Sequence, residues 1–465
     1  MEHVSPAGSV TDPALLRRAL LRMYDRATFA LGELEIACYP ERTGDFLVTL
    51  LGLLGALRQN PDAEEVERWR SLLGELLAEG AERTPRASVL VAFEPADERA
   101  GITGGFNVGF GLIEPRAPWP EAAEALDPEV SVARLLRAHG QVRLPCLPAL
   151  IDVQVRLLGA LLRALGQHHL EDDDLAAWRE AMAPRLSEWF ALNANSCLQI
   201  TFSPLTPERG MAGGIDLDIS RALASLEGHY QRWTEVRSGA LFGSYPDARV
   251  LDLARSLGPP EQVPVLDVGA GTGRNCLALA RLGHPIDALE LTSVLSEALI
   301  DAAAAEKLPV TVVQGDILDP ALVLPRNRYR LVVLSEVVSS HFRSLAALRR
   351  LLERAAALLE PGGLLLFDAF VAEHGYEPDV ATRQMSELFW CWLITRAELM
   401  ATLAGLPLAL IADQSAGAYE RTHLSPEAWP PTPWFEQWVS GRNLFPIEGQ
   451  PPLERRWLVC RRHRS

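Results

Sequence analysis

The residues of this chain best able to do chemistry fall between Asp267 and His341. Asp267 is followed by Gly269, Gly271 and Gly273 in the order D-x-G-x-G-x-G, then by Arg274 and Asn275. Val265, Leu266 and Val268 read as a short buried strand, and Asn275 to Leu282 as a helix leading away on the apolar spacing Leu277, Leu279, Ala280. A glycine loop between strand and helix lets a ligand approach the backbone, because glycine lacks a Cβ and tolerates positive φ, and the helix start adds partial positive charge. A nucleotide-like ligand is therefore expected. A dinucleotide fingerprint, G-x-G-x-x-G, requires a third glycine where this chain has Arg274. Downstream, Glu290 ends a second strand, where an acid grips ribose hydroxyls. Glu336 and His341 then follow the fourth strand as titratable groups at the mouth of the site, and His341 is placed to act as a general base near neutral pH.

The charge on the loop narrows the ligand. Asp267 would repel a pyrophosphate but attract the sulfonium and amino groups of S-adenosylmethionine. D-x-G-x-G-x-G after a strand resembles the cofactor motif of Rossmann-like class I methyltransferases. The G-T-G-R-N continuation is similar to small-molecule methyltransferases of the tellurite-resistance type. The resemblance covers residues 226–465. It implies S-adenosylmethionine as cofactor, S-adenosylhomocysteine as product, and a cofactor set of Asp267, Gly269, Gly271, Gly273, Asn275, Glu290, Asp316, Ile317 and Ser335, with Asp316 on the adenine amino group. It also implies that the segment before the first strand folds over cofactor and acceptor, which makes Tyr230, Arg232 and Trp233 lid residues; they could equally pack the two halves of the chain together.

The elements that must position these groups are legible as alternating strands and helices. After the glycine loop come strands over 285–290, 310–316, 330–334 and, beyond a turn at 359–363, 364–368. Five strands alternating with helices predict a parallel sheet wound on both faces, with ligands at the strands' C-terminal edge. A helix carrying Phe389, Trp390 and Trp392, strands over 407–412 and 456–460, and Trp434 and Trp438 on one helical face complete the expected seven-stranded α/β sheet.

The front half reads as a mostly helical α+β region made of two degenerate repeats. Helices are expected over 13–38, 45–58 and 61–80, then strands over 88–93 and 105–113. Trp69-Arg70 recurs as Trp178-Arg179, Phe93-x-Pro95 as Phe202-x-Pro204, and Gly104-Gly105 as Gly213-Gly214, all at one offset, while Leu53–Leu57 recurs as Leu157–Leu161. The expected domains are 1–120 and 121–225 for the repeats and 226–465 for the methyltransferase-like domain. Two copies of one fold suit a homodimer or a pseudo-dimeric monomer. His168-His169 before Glu171–Asp174 invites a metal reading, but a run of acids reads as a helix start rather than a ligand set, so no metal is expected.

A formal net charge of −16 argues against a nucleic-acid partner. The loop after the fourth strand also lacks the N-P-P-Y or D-P-P-Y of amino-methylating nucleic-acid enzymes. Six cysteines without a C-x-x-C pair fit a reducing cytoplasm, and no apolar run reaches membrane-spanning length. The expected protein is a cytoplasmic methyltransferase of a small-molecule O, N or S/chalcogen acceptor, with the duplicated region shaping specificity or assembly. The competing readings are a non-catalytic module that binds the cofactor or its demethylated product and recruits a partner, and a nicotinamide dehydrogenase, against which Arg274 argues.

Overall fold

The computed structural model describes residues 12–26, 29–56, 61–83, 87–95, 106–116, 135–164, 171–204, 215–222, 226–236 and 241–464. The chain divides into two compact units, residues 24–223 and residues 224–465 together with the first 23. His168-His169 and the two glycine pairs of the repeats lie outside the described residues.

Residues 29–113 and 136–222 run through the same elements in the same order. The first stretch is β1 (Phe29–Ala37), a turn at Pro40–Arg42, helices Thr43–Ala56 and Ala63–Glu82, β2 (Ser88–Pro95) and β3 (Phe106–Ile113). The second is β4 (Leu136–Pro145), a turn at Pro148–Leu150, helices Ile151–Ala164 and Asp172–Leu192, β5 (Cys197–Pro204) and β6 (Ile215–Ala222). Together they form one antiparallel sheet in the order β3-β2-β1-β4-β5-β6, so the two halves meet at β1 and β4. One face is lined by Leu34, Ile36, Val91, Phe93, Val142, Leu144, Ile200 and Phe202, all buried in one core with the helices. The expected helix over 13–38 is corrected: it ends at Arg26, and Phe29–Ala37 is a strand. Ala30, Leu34 and Ile36 lie at even separations on one buried face, Glu35 and Ala37 are buried at the alternate positions, and the span pairs with β2 on one side and β4 on the other, which a strand does and a helix cannot. The element order common to the two stretches is therefore strand-helix-helix-strand-strand.

At the seam Gly32 pairs with Gly140. A Cβ on Gly32 would lie 2.7 Å from Cζ of Phe93 and 2.5 Å from the His139 carbonyl; one on Gly140 would lie 2.5 Å from Cζ of Phe202 and 2.6 Å from the Leu31 carbonyl. Each glycine makes room for the same aromatic ring of its own half and the same carbonyl of the other.

In the C-terminal unit seven strands follow the path β13-β14-β11-β10-β7-β8-β9, and a two-residue eighth, β12 (Leu393–Ile394), pairs with β11. In sequence they are β7 (Val265–Val268), β8 (Ile286–Glu290), β9 (Val310–Gln314), β10 (Tyr329–Leu334), β11 (Leu359–Ala372), β13 (Leu408–Ser415) and β14 (Leu453–Arg462). Strands β7 to β11 are mutually parallel along this path, while β14 runs antiparallel to β11 and β13. The chain leaves β7 towards β8 and returns on its other side at β10, so the sheet reverses direction of growth at the C-terminal end of β7. Leu359–Gly363, expected as a turn, belongs to β11 with a register shift opposite Tyr329–Leu331. Phe389, Trp390 and Trp392 are not helical either. The helix stops at Leu388, and Trp390 takes φ +56°. Among the described residues no helix is long and apolar enough to cross a membrane.

Candidate functional site

The glycine loop sits where the sheet reverses. Gly269, Gly271 and Gly273 have φ of +69°, +56° and +97°, a region that side chains with a Cβ avoid. A Cβ on Gly273 would lie 2.6 Å from Leu299, so this residue lets the next helix pack closely, whereas a Cβ on Gly271 would meet only the ring of Phe242, at 3.3 Å. Gly269 faces Val337. The amides of Gly269 and Ala270 both donate to the Leu289 carbonyl, at 2.7 and 3.2 Å, which pins the loop against β8.

Glu290, buried at the end of β8, receives the Gly271 amide on Oε2 at 2.8 Å and the Thr292 amide and hydroxyl on Oε1 at 3.0 and 2.9 Å. A carboxylate offers roughly four acceptor sites, so the Oε2 side retains capacity for a hydroxyl. Asp316 is exposed beyond β9 and accepts the Leu318 amide at 2.8 Å, and Ile317 is buried beside Leu289 in the same core. Asp267 is buried beneath the loop. Burial, then the charge of Asp247, pushes its carboxyl up to about 7, with the Arg274 guanidinium and the Cys276 amide opposing. A cation arriving here would restore its charge.

Arg274 does not face a ligand as a free cation. Its two terminal nitrogens grip Asp247 at 3.0 and 3.1 Å, and Nη2 also donates to Glu336 at 2.9 Å. Asn275 is committed to the same acid: its amide nitrogen donates to Asp247 Oδ2 at 3.0 Å, and its oxygen accepts the Asp247 backbone amide at 2.9 Å. Ser335 donates to Asp247 Oδ2 at 2.7 Å. Burial alone would raise the Asp247 carboxyl; the guanidiniums of Arg274 and Arg455 with these hydrogen bonds outweigh it and hold it below the usual range. Glu336, with φ +63°, donates its backbone amide to Asp368 at 2.6 Å, and burial raises its carboxyl despite Arg274 and Arg455. Arg455 is fully buried, bonded to Asp368 at 2.7 Å and held between Trp438 and Trp457 at 4.8 and 4.6 Å.

Asp247 occupies the position before helix Ala248–Ser256 but does not cap it. The buried Glu420 accepts the Ala248 and Arg249 amides and the Trp457 indole instead. That substitution frees Asp247 for Arg274.

Over the loop lies helix Leu226–Val236, anchored by Glu227, which accepts the Ser293 amide and hydroxyl and the Val294 amide. Tyr230 is buried, and its hydroxyl meets His341 Nε2 at 3.0 Å. Burial, then the charges of Glu290 and Glu336, raises the phenol well above its ordinary value. The Tyr230 ring packs edge-on to Trp233 at 5.8 Å and Phe242 at 6.0 Å, and Trp390 closes the group at 5.3 Å from His341. Arg232 lies on the same helix. Expected lid and mouth residues Tyr230, Trp233 and His341 thus meet in one aromatic cluster, with Glu336 in the ionic cluster below it. Sequence reasoning missed Asp247, Asp368, Arg455, Phe242 and Trp390. One signal was available for the first: an arginine inside a glycine loop with a phosphate-repelling acid needs a carboxylate partner.

Residues 265–363 match the family described as methyltransferase domain. No curated protein shows significant sequence similarity to the chain. Among solved structures it resembles the [4+2]-cyclase SpnF (18% identity, 49% of this chain and 88% of that one, TM-score 0.35). It also resembles geranyl diphosphate C-methyltransferase from Streptomyces coelicolor (16%, 46% and 75%, 0.35) and the YcgJ protein from Bacillus subtilis (17%, 46% and 98%, 0.33). Likenesses this distant bear on neither activity nor substrate. The loop fits S-adenosylmethionine: it has a hydroxyl-accepting Glu290, a buried acid for an ammonium, and an arginine already neutralised by carboxylates. Residues 265–363 of the C-terminal unit carry a methyltransferase domain, and its cofactor is S-adenosylmethionine.

Proposed function

We propose that this protein methylates a heteroatom, O, N or S/chalcogen, of a small molecule at the aromatic cluster over the glycine loop. The observation that carries this reading is the juxtaposition of a loop suited to a cationic nucleoside with His341 and Tyr230 hydrogen-bonded at 3.0 Å beside it. When bound, S-adenosylmethionine supplies an electrophilic methyl on a sulfonium. Glu290 and Asp316 hold the nucleoside end, and Asp267 holds the ammonium. His341 takes the proton of the acceptor, and Tyr230 orients its ring through Nε2. Tyr230, Trp233 and Trp390 exclude water and present flat apolar faces to the acceptor. The G-T-G-R-N motif is similar to that of the tellurite-resistance type, and the cytoplasm is the proposed compartment.

The front half is a tandem duplication in this reading, supported by the shared element order and the Gly32–Gly140 seam, and it shapes acceptor specificity or assembly. One observation favours the competing reading of a non-catalytic cofactor-binding module: Phe242 stands over Gly271, and Tyr230 and His341 are bonded to each other. The test is incubation of cell extract and protein with isotopically labelled S-adenosylmethionine, followed by mass spectrometry. Label in a small molecule, lost in His341→Gln, supports the enzyme. Calorimetric binding of S-adenosylhomocysteine with no labelled product supports the module, and no binding at all removes both.

A further inference from the structure

The second repeat contains a cavity of about 320 Å³ between helix Asp172–Leu192 and the β5–β6 hairpin. Its walls are apolar, chiefly Trp178, Met182, Leu186, Leu198 and Ile219, with Trp189 and Arg185 at its edge. The first repeat has the same fold but closes the same place differently. At the offset that sets Trp69 against Trp178 and Phe93 against Phe202, Phe110 corresponds to Ile219, Leu72 to Ala181, Leu76 to Arg185, Gly80 to Trp189 and Leu112 to Arg221. In the first repeat Phe110 packs on Trp69 with ring centroids 6.3 Å apart, and Trp69 is only 8% exposed. Gly80 lets its helix approach so closely that a Cβ there would lie 3.0 Å from Leu112. In the second, Ile219 is 39% exposed, and Trp189 stands where Gly80 stood.

The replacements also change the charge. Arg221 shares a strand face with Leu217 and Ile219, and its guanidinium lies 6.0 Å from the centroid of Trp189. Arg185 lines the cavity, and no acid does among the described lining residues. A cavity of this size with two tryptophans and Arg185 in its lining, and Arg221 beside Trp189, has the usual form of a small-ligand site. The cavity opens to solvent past the exposed Ala181, Arg185 and Ile219, so a ligand can enter it from the surface.

We infer that this cavity binds an apolar carboxylic acid, its hydrocarbon body between Trp178 and Ile219 and its carboxylate at Arg185 and Arg221. The site stands independently of the methyl-transfer reading. The test is calorimetric titration of the full chain with decanoate and with decanol. Saturable one-to-one binding of decanoate is expected. Ile219→Phe and Ala181→Leu, which restore the bulk found in the first repeat, should each weaken it by roughly tenfold or more, about 1.4 kcal/mol per factor of ten. Both positions are exposed, and a retained melting transition verifies folding. The double variant Arg185→Gln/Arg221→Gln should weaken decanoate but leave decanol unchanged. No saturable binding of decanoate, or binding untouched by both filling variants, overturns the site. Decanol bound as tightly as decanoate overturns the assignment of the anionic head.

Discussion

Arg274→Met separates a buried electrostatic role for this arginine from a decorative one. Arg274 and Asp247 expose only 8% and 2% of their side chains, and the guanidinium makes three hydrogen bonds of 2.9–3.1 Å to two carboxylates. Methionine has nearly the same length and keeps the packing, but leaves Asp247 and Glu336 facing each other with Arg455 as the remaining cation. Removing one partner of a buried ion pair costs about 3–5 kcal/mol, because the other charge stays desolvated. For a unit of this size each kcal/mol moves the midpoint by roughly 2–4 °C, so its melting transition should fall by about 6–20 °C. The loss should shrink as the pH falls, because Glu336, whose carboxyl burial already raises, then takes up a proton. Arg281 supplies the control. It holds Glu306 by two hydrogen bonds of 2.6 Å, yet the two side chains are 50% and 41% exposed, so Arg281→Met should leave the transition where it was. Scanning calorimetry on both variants decides. Equal shifts, or a fall below about 1 kcal/mol for Arg274→Met, would refute the reasoning, since burial rather than geometry is what distinguishes the two pairs.

Glu290→Gln should lower affinity for S-adenosylhomocysteine by roughly 10–100-fold in calorimetry, because a charged acceptor is worth about 1.5–3 kcal/mol more than none. Asp267 gives a pH dependence. Its folded value of about 7 lies above its ordinary one, so its share of apo stability is present at low pH and is lost as pH rises from about 4 through 7. Binding of an ammonium needs the carboxylate, so product affinity should climb between pH 5 and 7 by up to about tenfold per unit, and Asp267→Asn should flatten that slope. Gly32→Ala and Gly140→Ala should each lower the N-terminal melting transition by about 1–3 kcal/mol, as overpacking does. The two losses should be similar, since each new Cβ would meet an aromatic ring and a neighbouring carbonyl.

What the sequence determined by itself was local: the strand, glycine loop and helix at 265–281, the acid ending β8, and the alternation that makes a parallel sheet. These follow from periodicity and from the backbone freedom of glycine, both of which act within a few residues. The misread helix over 13–38 shows the limit, because Glu33 and Glu35 interrupt the apolar positions of β1 in a pattern that only its pairing with β2 and β4 makes decisive. Which acid answers Arg274 was settled by tertiary structure alone. Asp247 precedes a helix as a cap would, yet Glu420 does the capping, and Arg455 reaches Asp368 only because β14 lies antiparallel beside β11. A buried charge must find its partner in space, and nothing in the order of residues along the chain records that distance.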